Sequence, residues 1–285
     1  MIKIITDSTS YLPQDIKSKY DIAVLPFRVF LDGQPYKETE LTNKEFFEKA
    51  KSMPTIPQPE GPSYEVMLDA FEKELKAGNS IVGIFMSSRA GETIVNAKKA
   101  KDKLLQKYTS AHISIVDSLN ACIALGLIVM AAAEANKHGA WHESVEEAAK
   151  EAVLRTKFFF SPKNLDYVLK RQEINKAKAV IGNAIQLIPL LSTEHGVLSP
   201  KEMVRTQSKA IEKMVEFVQQ DMKDLGIAKA VVTHIDAYDE AVELARKVKK
   251  TSDVYVEISE MGPAVGQAVG PGTVGLAYST IDAPF

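Results

Sequence analysis

The stretch that decides the fold is Glu260-Met-Gly-Pro-Ala-Val-Gly-Gln-Ala-Val-Gly-Pro-Gly-Thr-Val-Gly-Leu-Ala-Tyr278. It holds five of the chain's 15 glycines and no charged residue after Glu260. Pro263 suits the first turn of a helix, and Gly270-Pro271 is a stop signal. The pattern therefore predicts a short helix, a turn and a strand. Because Gly266 and Gly270 lie four residues apart, one face of this helix lacks side chains, and either another helix or a ligand packs against it.

The composition of the 285 residues excludes several classes of protein. With 45% hydrophobic residues, 25% charged residues and a net charge of −2, nothing indicates a nucleic-acid partner. The single cysteine, Cys122, excludes a disulfide within the chain and fits a reducing cytoplasm. The first residues show no signal-peptide pattern. The longest uncharged run, Ser118–Ala133, is shorter than the roughly 20 residues of a membrane span and predicts a helix buried in the centre of a domain.

The two halves of the chain have different patterns. The first half alternates strand and helix patterns without hairpin turns, and Ile22–Leu31 is predicted as one strand. This alternation favours a parallel sheet flanked by helices. The second half predicts a hairpin from Leu187–Ser192 and Val197–Val204, and therefore a mixed sheet. We predict an α/β fold with two α/β domains, residues 1–155 and residues 156–285.

Three polar loops follow predicted strands in the first half. They are Thr6–Thr9, Ser87–Gly91 and Asp117-Ser118. Each loop alone is typical of a helix cap, but the carboxyl ends of parallel strands share one edge of the sheet, where ligands bind. Hydroxyl groups and helix N-termini favour an anionic head group such as a carboxylate or phosphate. The three loops together therefore indicate a binding cleft.

Known catalytic and cofactor motifs are missing from the sequence. The G-x-G-x-x-G pattern at Gly270–Gly275 precedes a strand instead of joining a strand to a helix, so we reject a dinucleotide site. The five histidines are scattered and predict no metal site. His234 lies near Asp236 at the end of a predicted strand, and it is the one histidine that we keep as a candidate functional residue. No local signature of a Ser-His-Asp triad is present, so no catalytic residue and no cofactor are predicted.

Several short motifs are distributed along the whole chain. They are Asp7-Ser8-Thr9, Pro54–Pro59, Ser87-Ser88 with Gly91 and Thr93, Val116-Asp117-Ser118, Pro162–Leu165, Val204-Arg205-Thr206 and Gly262–Tyr278. In this order and spacing they resemble the DegV family of bacterial fatty-acid-binding proteins. The resemblance implies two α/β domains with a fatty acid between them, its tail in an apolar tunnel and its carboxylate at a polar end.

The resemblance also implies a partner and a location. A carrier of this kind has no catalytic chemistry of its own. It presents the bound long-chain fatty acid to a separate ATP-dependent fatty acid kinase subunit, which phosphorylates the carboxylate for phospholipid synthesis. The protein is then expected in the bacterial cytoplasm, and a carrier of this kind is compatible with transient contact with a membrane.

The sequence departs from the family where the lipid head group is expected. The resemblance places the head group near Thr55, Ile56, Ser88, Gly91, Arg205, Gln267 and Ala268, and the backbone of Gly262 and Gly266 along the lipid. The family's threonine, serine and histidine are replaced by Ile56, Gly91 and Ala268, so three polar contacts to a carboxylate are lost. Leaving a buried polar group unpaired costs about 1–3 kcal/mol.

Three arrangements are open for the head group. Thr55 or Ser88 substitutes for the lost contacts, with help from backbone amides near Gly91. Alternatively, the head group turns towards solvent or towards Arg205, which the family associates with hand-over to the kinase. In the third arrangement the ligand is a different lipid.

Two other functions stay open at this point. The polar loops also suit a small-molecule enzyme or a phosphotransfer subunit, which a water-filled cleft with an ordered phosphate would favour. The missing head-group contacts suit a protein-interaction module that does not bind lipid, which a collapsed tunnel would favour.

Overall fold

The structure is a computed structural model that describes residues 1–53, 58–163, 187–252 and 254–283. Its strands are β1 (Ile2–Asp7), β2 (Ala23–Leu25), β3 (Arg28–Leu31), β4 (Gln34–Lys37), β5 (Ser80–Phe85), β6 (Ile113–Asp117), β7 (Thr156–Ser161), β8 (Ile188–Glu194), β9 (Val197–Val204), β10 (Ile227–His234), β11 (Val256–Glu260) and β12 (Val274–Thr280). Its helices are α1 (Gln14–Lys19), α2 (Asn43–Ala50), α3 (Tyr64–Lys76), α4 (Thr93–Lys107), α5 (Cys122–Lys137), α6 (His142–Arg155), α7 (Gln207–Asp224), α8 (Tyr238–Thr251) and α9 (Pro263–Val269). Short 3₁₀ turns at Ser8–Ser10 and Glu38–Glu40 follow β1 and β4.

Four parallel strands form the first sheet, in the order β2-β1-β5-β6. In β5 every residue from Ile81 to Phe85 is buried, which is typical of a strand covered by helices on both faces. Helices α3 and α4 pack on one face of this sheet, and α5 and α6 pack on the other. The predicted parallel sheet flanked by helices is therefore confirmed.

The segment predicted as one strand, Ile22–Leu31, forms two strands. β2 ends at Leu25 and β3 begins at Arg28, because Pro26 between them has no backbone N–H for strand pairing. β3 pairs antiparallel with β4 across Asp32-Gly33, whose φ angles of 50° and 76° suit a tight hairpin turn. The prediction that the first half lacks hairpin turns is therefore wrong. Asp-Gly is itself a hairpin signal, which the continuous apolar run before it conceals in the sequence.

Six strands form the second sheet, in the order β11-β10-β12-β7-β8-β9. β10 and β11 are parallel and the other neighbours are antiparallel, so the predicted mixed sheet is confirmed. β8 and β9 form the predicted hairpin around His195-Gly196. Helices α7 and α8 cover one face of this sheet with apolar side chains.

Helix α5 lies between the two sheets. It contacts β1 and β5 of the first sheet and β7, β10 and β12 of the second. Ten of its 16 residues are buried, as the uncharged run Ser118–Ala133 predicts. Gly126 allows a close approach here, because a Cβ atom at this position would lie 2.7 Å from the backbone oxygen of Ser10. The layers therefore run α3/α4, first sheet, α5/α6, second sheet and α7/α8.

The largest apolar cluster joins both sheets through this central layer. It includes Val82 and Ile84 of β5, Phe158 and Phe160 of β7, and Val231 of β10. The chain passes from the first sheet to the second where α6 meets β7, at Arg155 and Thr156. The division into domains at residue 155 stays a prediction. Among the described helices, none is long and apolar enough to cross a membrane.

Candidate functional site

The three polar loops of the first sheet lie together at one edge. Asp7 Oδ2, at the end of β1, accepts a hydrogen bond from the backbone N–H of Met86 at 2.8 Å, just beyond β5. Asp117 Oδ1, at the end of β6, accepts from the backbone N–H of Ser88 at 3.2 Å. We call this edge the rim. The predicted meeting of the loops is confirmed, and both carboxylates are engaged in holding backbone N–H groups.

Asp7 is the most deeply buried acid of the rim, with no exposed surface. Burial raises its pKa from 3.8 to about 6, although hydrogen bonds from Met86 and Thr9 act in the opposite direction. Because its oxygens already accept three hydrogen bonds, Asp7 organises the rim and has little capacity left for a ligand.

The glycine-rich segment forms the helix, turn and strand predicted for it. α9 begins with Pro263 in its first turn and ends at Val269, followed by the cap residue Gly270, whose φ is 83°. A hydrogen bond of 2.7 Å from the backbone N–H of Gly272 to the backbone oxygen of Ile235 then fixes the turn before β12. Local sequence is sufficient for this prediction, because proline and glycine restrict or permit specific backbone angles.

Two side chains from the first part of the chain hold the start of α9. Glu38 Oε2 accepts from the backbone N–H of Ala264 at 2.9 Å, and the Tyr11 hydroxyl accepts from the backbone N–H of Val265 at 3.1 Å. The Tyr11 hydroxyl also lies 3.1 Å from Glu38 Oε2, and Ser8 donates to Glu38 Oε1. We call Glu38 and Tyr11 the α9 clamp. Burial raises the pKa of Glu38 from 4.5 to about 7.

Sequence reasoning missed the α9 clamp. Glu38 and Ala264 lie 226 positions apart, so no local pattern joins them. The one signal in the sequence is an acidic residue directly after a strand that ends in Tyr36-Lys37, and this is equally typical of an exposed turn. The buried carboxylate supplies the N-terminal helix cap that Gly262 cannot provide.

A side chain of the protein occupies the helix face predicted to be bare. A Cβ atom on Gly266 would lie 3.2 Å from the ring of Phe47, which belongs to α2, and 3.3 Å from Ile235. At Gly262 a Cβ atom would lie 2.7 Å from the ring of Tyr11. Of the two predicted occupants, another helix is the one observed. The role of Gly262 and Gly266 in lining a lipid stays a prediction.

Gln267 is buried without hydrogen bonds. It is 5% exposed, and neither its Nε2 nor its Oε1 atom has a partner. Within the described residues it is the only side chain with two separate buried polar atoms that both lack a partner. Each such group costs about 1–3 kcal/mol if nothing pairs with it. The amide is therefore suited to a polar group supplied by a ligand or by water. Ala268, beside it, is half-buried.

The remaining predicted head-group residues lie elsewhere. Ser88, Gly91 and Arg205 are exposed, and Thr55 and Ile56 lie outside the described residues. Arg205 lies two residues before α7, whose first residue, Gln207, donates from Nε2 to the backbone oxygen of Gly272 at 2.6 Å. Arg205 is therefore two residues away in sequence from Gln207, which contacts the glycine-rich turn. Because Gln267 has no hydrogen bond, none joins it to Ser88.

A hairpin of the second sheet reaches the rim. Ser87 Oγ donates to the backbone oxygen of Gly196 at 2.9 Å, and Thr193 Oγ1 donates to Asn120 Oδ1 at 2.5 Å. A Cβ atom on Gly196 would lie 2.5 Å from Ser87 Oγ, so only glycine permits this approach. The sequence predicts the turn but not its position on the rim.

Two cavities have mixed polar and apolar walls. The first, of 360 Å³, lies at the α9 clamp and is lined by residues that include Tyr11, Glu38, Asn43 and Gly262. The second, of 580 Å³, is lined by residues that include His234, Asp236 and Glu240. Burial lowers the pKa of His234 below its usual value. No group of three or more metal-binding side chains is found among the described residues.

A Ser-His-Glu cluster joins β6 and α6. Ser114 Oγ lies 2.9 Å from His142 Nε2 and donates to Glu146. In a nucleophilic triad the acid accepts from the other ring nitrogen of the histidine. Here the acid contacts the serine, and His142 Nδ1 has no partner. The cluster therefore lacks the geometry of a catalytic triad.

Comparison with known proteins gives one family. The DegV family model, described as "Uncharacterised protein, DegV family", matches residues 1–280. A DegV domain-containing protein of Clostridium acetobutylicum is 37% identical over 279 residues, which cover 98% of this chain and 98% of that protein. A DegV domain-containing protein of Clostridium perfringens is 34% identical over 278 residues, again with 98% of each chain covered.

Solved structures agree with the sequence matches. One is described as "Fatty Acid Binding of a DegV family Protein from Thermus thermophilus"; it has a TM-score of 0.90 and 25% identity, covering 98% of this chain and 99% of that one. Another, "Crystal Structure of DegV, a fatty acid binding protein from Bacillus subtilis", has a TM-score of 0.86 and 26% identity, with the same coverage. Since the sequence model, the relatives and the fold all match along nearly the whole chain, the protein belongs to the DegV family.

Proposed function

We propose that the protein binds one long-chain fatty acid in a tunnel between its two α/β domains, residues 1–155 and 156–285. The observation that carries the proposal is the match, over 98% of this chain, to the Thermus thermophilus structure described by its fatty acid binding. The apolar cluster between the two sheets provides a suitable environment, because each buried methylene contributes about 0.8 kcal/mol. Rotation of side chains in this layer would open the path for the acyl chain.

The head group would lie at the polar end of the tunnel. The proposed residues around it are Thr55, Ile56, Ser88, Gly91, Arg205, Gln267 and Ala268, with the backbone of Gly262 and Gly266 along the lipid. Among those that the structure describes, Gln267 is the one with buried, unpaired polar atoms, so it offers the strongest attraction for a polar head. The exposed Arg205 is then free to contact a partner protein.

The protein would act as a carrier in the bacterial cytoplasm. A separate ATP-dependent fatty acid kinase would phosphorylate the bound acid, and this chain would supply the ligand and the docking surface. The rim favours an enzymatic function less, since Asp7 and Asp117 are already bonded to backbone N–H groups. No second function has a comparable observation in its favour.

Extraction of the purified protein and mass spectrometry test the proposal directly. We expect one long-chain fatty acid per chain, and rebinding of added oleic acid after delipidation. Protein that retains its folded circular dichroism spectrum, carries no acyl lipid and binds none would refute the carrier function.

Hand-over to a kinase needs a separate assay. Arg205→Ala should lower the rate at which a fatty acid kinase forms acyl phosphate, when wild type and variant are compared at the same degree of loading with fatty acid. Arg246→Ala, an equally exposed arginine on α8, is the matched control and should behave as wild type. Equal rates for the two variants would remove Arg205 from the hand-over surface.

A further inference from the structure

The buried amide of Gln267 lies in an apolar environment. Its neighbours on α9, Ala264, Val265, Ala268 and Val269, belong to or pack against the apolar cluster between the sheets. Both the donor and the acceptor of the amide lack partners there. A buried hydroxyl needs only one partner to be satisfied, whereas this amide needs a group that accepts and donates at the same place.

The surroundings of α9 do not favour a negative charge. The charged or titratable side chains that are buried among the described residues are Asp7, Glu38, Cys122, Asp221, His234 and Tyr278, and no described lysine or arginine is buried. The α9 clamp places the acidic Glu38 and the Tyr11 hydroxyl at the start of the helix. An ionised carboxylate buried near them would lack a buried cation to compensate its charge.

The elements packed against α9 add no buried charge. Helix α2 and strand β3 contact α9. Their charged side chains are all exposed: Lys44, Glu45, Glu48 and Lys49 on α2, and Arg28 on β3. Arg28 is paired with Glu60 at 2.8 Å. His234 precedes Ile235, which contacts Gly266, and burial lowers the pKa of His234. A neutral head group therefore suits this site better than an ionised one.

We propose that Gln267 recognises the head of the bound fatty acid in its un-ionised form. Its Nε2–H donates to the carbonyl oxygen of the acid, and the acid O–H donates to Oε1. The pair thereby satisfies both unpaired atoms with one ligand. Because free fatty acid is ionised at neutral pH, binding takes up one proton from solvent for each molecule bound. This inference rests on the proposed function and names the chemical form of its ligand.

The first test observes the head group itself. Oleic acid labelled with ¹³C at the carboxyl carbon is bound to the delipidated protein, and its resonance is followed by NMR from acidic to mildly alkaline pH. We expect the bound resonance to keep the shift of the un-ionised acid above neutral pH. A bound resonance with the shift of a carboxylate would overturn the proposal but leave lipid binding intact. If no labelled acid binds, the carrier function fails and this proposal fails with it.

The second test removes the amide. Gln267→Leu should weaken binding of oleic acid on the order of tenfold or more, since two hydrogen bonds are lost. The ligand-free variant should be more stable than wild type towards urea, because an unpaired buried amide is replaced by an apolar group of similar size. Gln219→Leu, at an exposed glutamine on α7, is the matched control and should change neither quantity.

Ligand chemistry separates recognition from general packing. Methyl oleate has the same chain but no acidic proton, so wild type should prefer the acid and Gln267→Leu should lose that preference. Unchanged preference in the variant would overturn the proposal, as would a crystal structure of the loaded protein in which water satisfies both amide atoms.

A second variant is available if Gln267→Leu fails to fold. Gln267→Glu keeps the shape of the side chain, and its affinity for oleic acid should fall as pH rises, because the ionised glutamate repels the carboxylate of the fatty acid.

Discussion

The buried carboxylate of Glu38 should make stability depend on pH, and Glu38→Gln should remove that dependence. Glu38 is 3% exposed and accepts hydrogen bonds from Ser8, Tyr11 and the backbone N–H of Ala264. Burial raises its pKa from 4.5 to about 7 despite those bonds. The folded protein therefore holds a proton on Glu38 at a pH where the unfolded chain has lost it.

The size and sign of the effect follow from this pKa difference. Stability from the protonated carboxyl is fully present below 4.5 and is lost as pH rises through the folded value of about 7. At about 1.4 kcal/mol per pKa unit, the complete loss is about 3 kcal/mol. Between about pH 5 and about pH 8, the free energy of unfolding should fall by roughly 2–3 kcal/mol through this group alone.

Urea unfolding over this pH range measures the effect as a difference between two proteins. The free energy of unfolding of wild type minus that of Glu38→Gln should fall with rising pH, because glutamine does not titrate. The buried Asp7, with a pKa of about 6, titrates in both proteins and cancels to first order. Glu40→Gln, at an exposed residue of the same turn, should leave the pH profile unchanged. A difference that is flat or rises with pH would show that the Glu38 charge is compensated, and the reasoning would fail.

Two further substitutions test packing and hydrogen bonding. Gly126→Ala should lower the free energy of unfolding by about 1–3 kcal/mol, because its Cβ atom would lie 2.7 Å from the backbone oxygen of Ser10 and the backbone would have to move. Urea unfolding measures this change. If the Gly126→Ala variant were as stable as wild type, α5 would be able to shift without a cost in free energy, and the prediction would be wrong. Tyr278→Phe should cost about 1–2 kcal/mol in the same assay, because the hydroxyl donates to the buried Asp221 at 2.7 Å. A change below half a kilocalorie would mean that another group replaces this bond.

The parts of the fold that the sequence predicts are those with local causes. Helix α3 has the hydrophobic periodicity of an amphipathic helix, and strand β5 is a short, continuous apolar run. The β8–β9 hairpin follows from two apolar runs around a glycine turn. The rim also follows, since parallel strands place their carboxyl ends at one edge. The hairpin between β3 and β4 has a local signal at Asp32-Gly33, but the apolar run Ile22–Leu31 before it is typical of one continuous strand and conceals that signal.

The parts that the sequence could not predict depend on contacts between distant segments. From its residue type alone, Glu38 would be expected on the surface. Only the fold brings it to the start of α9. Phe47 lies on α2, distant in sequence from α9, yet its ring covers Gly266 in the segment predicted to be bare. The family resemblance predicts Gln267 in the head-group region, whereas its unpaired amide is visible only in three dimensions. Burial and hydrogen bonding of single side chains have no periodic signature.

The way α9 is held decides which variants can identify the ligand-binding residue. Its start is fixed by the α9 clamp, and the turn after it is fixed by the bond between Gly272 and Ile235. Any substitution that breaks either end displaces the whole helix and weakens lipid binding without contacting the lipid. Loss of binding in a Glu38 variant therefore does not place Glu38 at the head group. Gln267 takes part in neither attachment, because its side chain makes no hydrogen bond. A substitution there that raises stability and lowers affinity cannot act through the helix ends, so that combination of effects identifies direct contact with the head group.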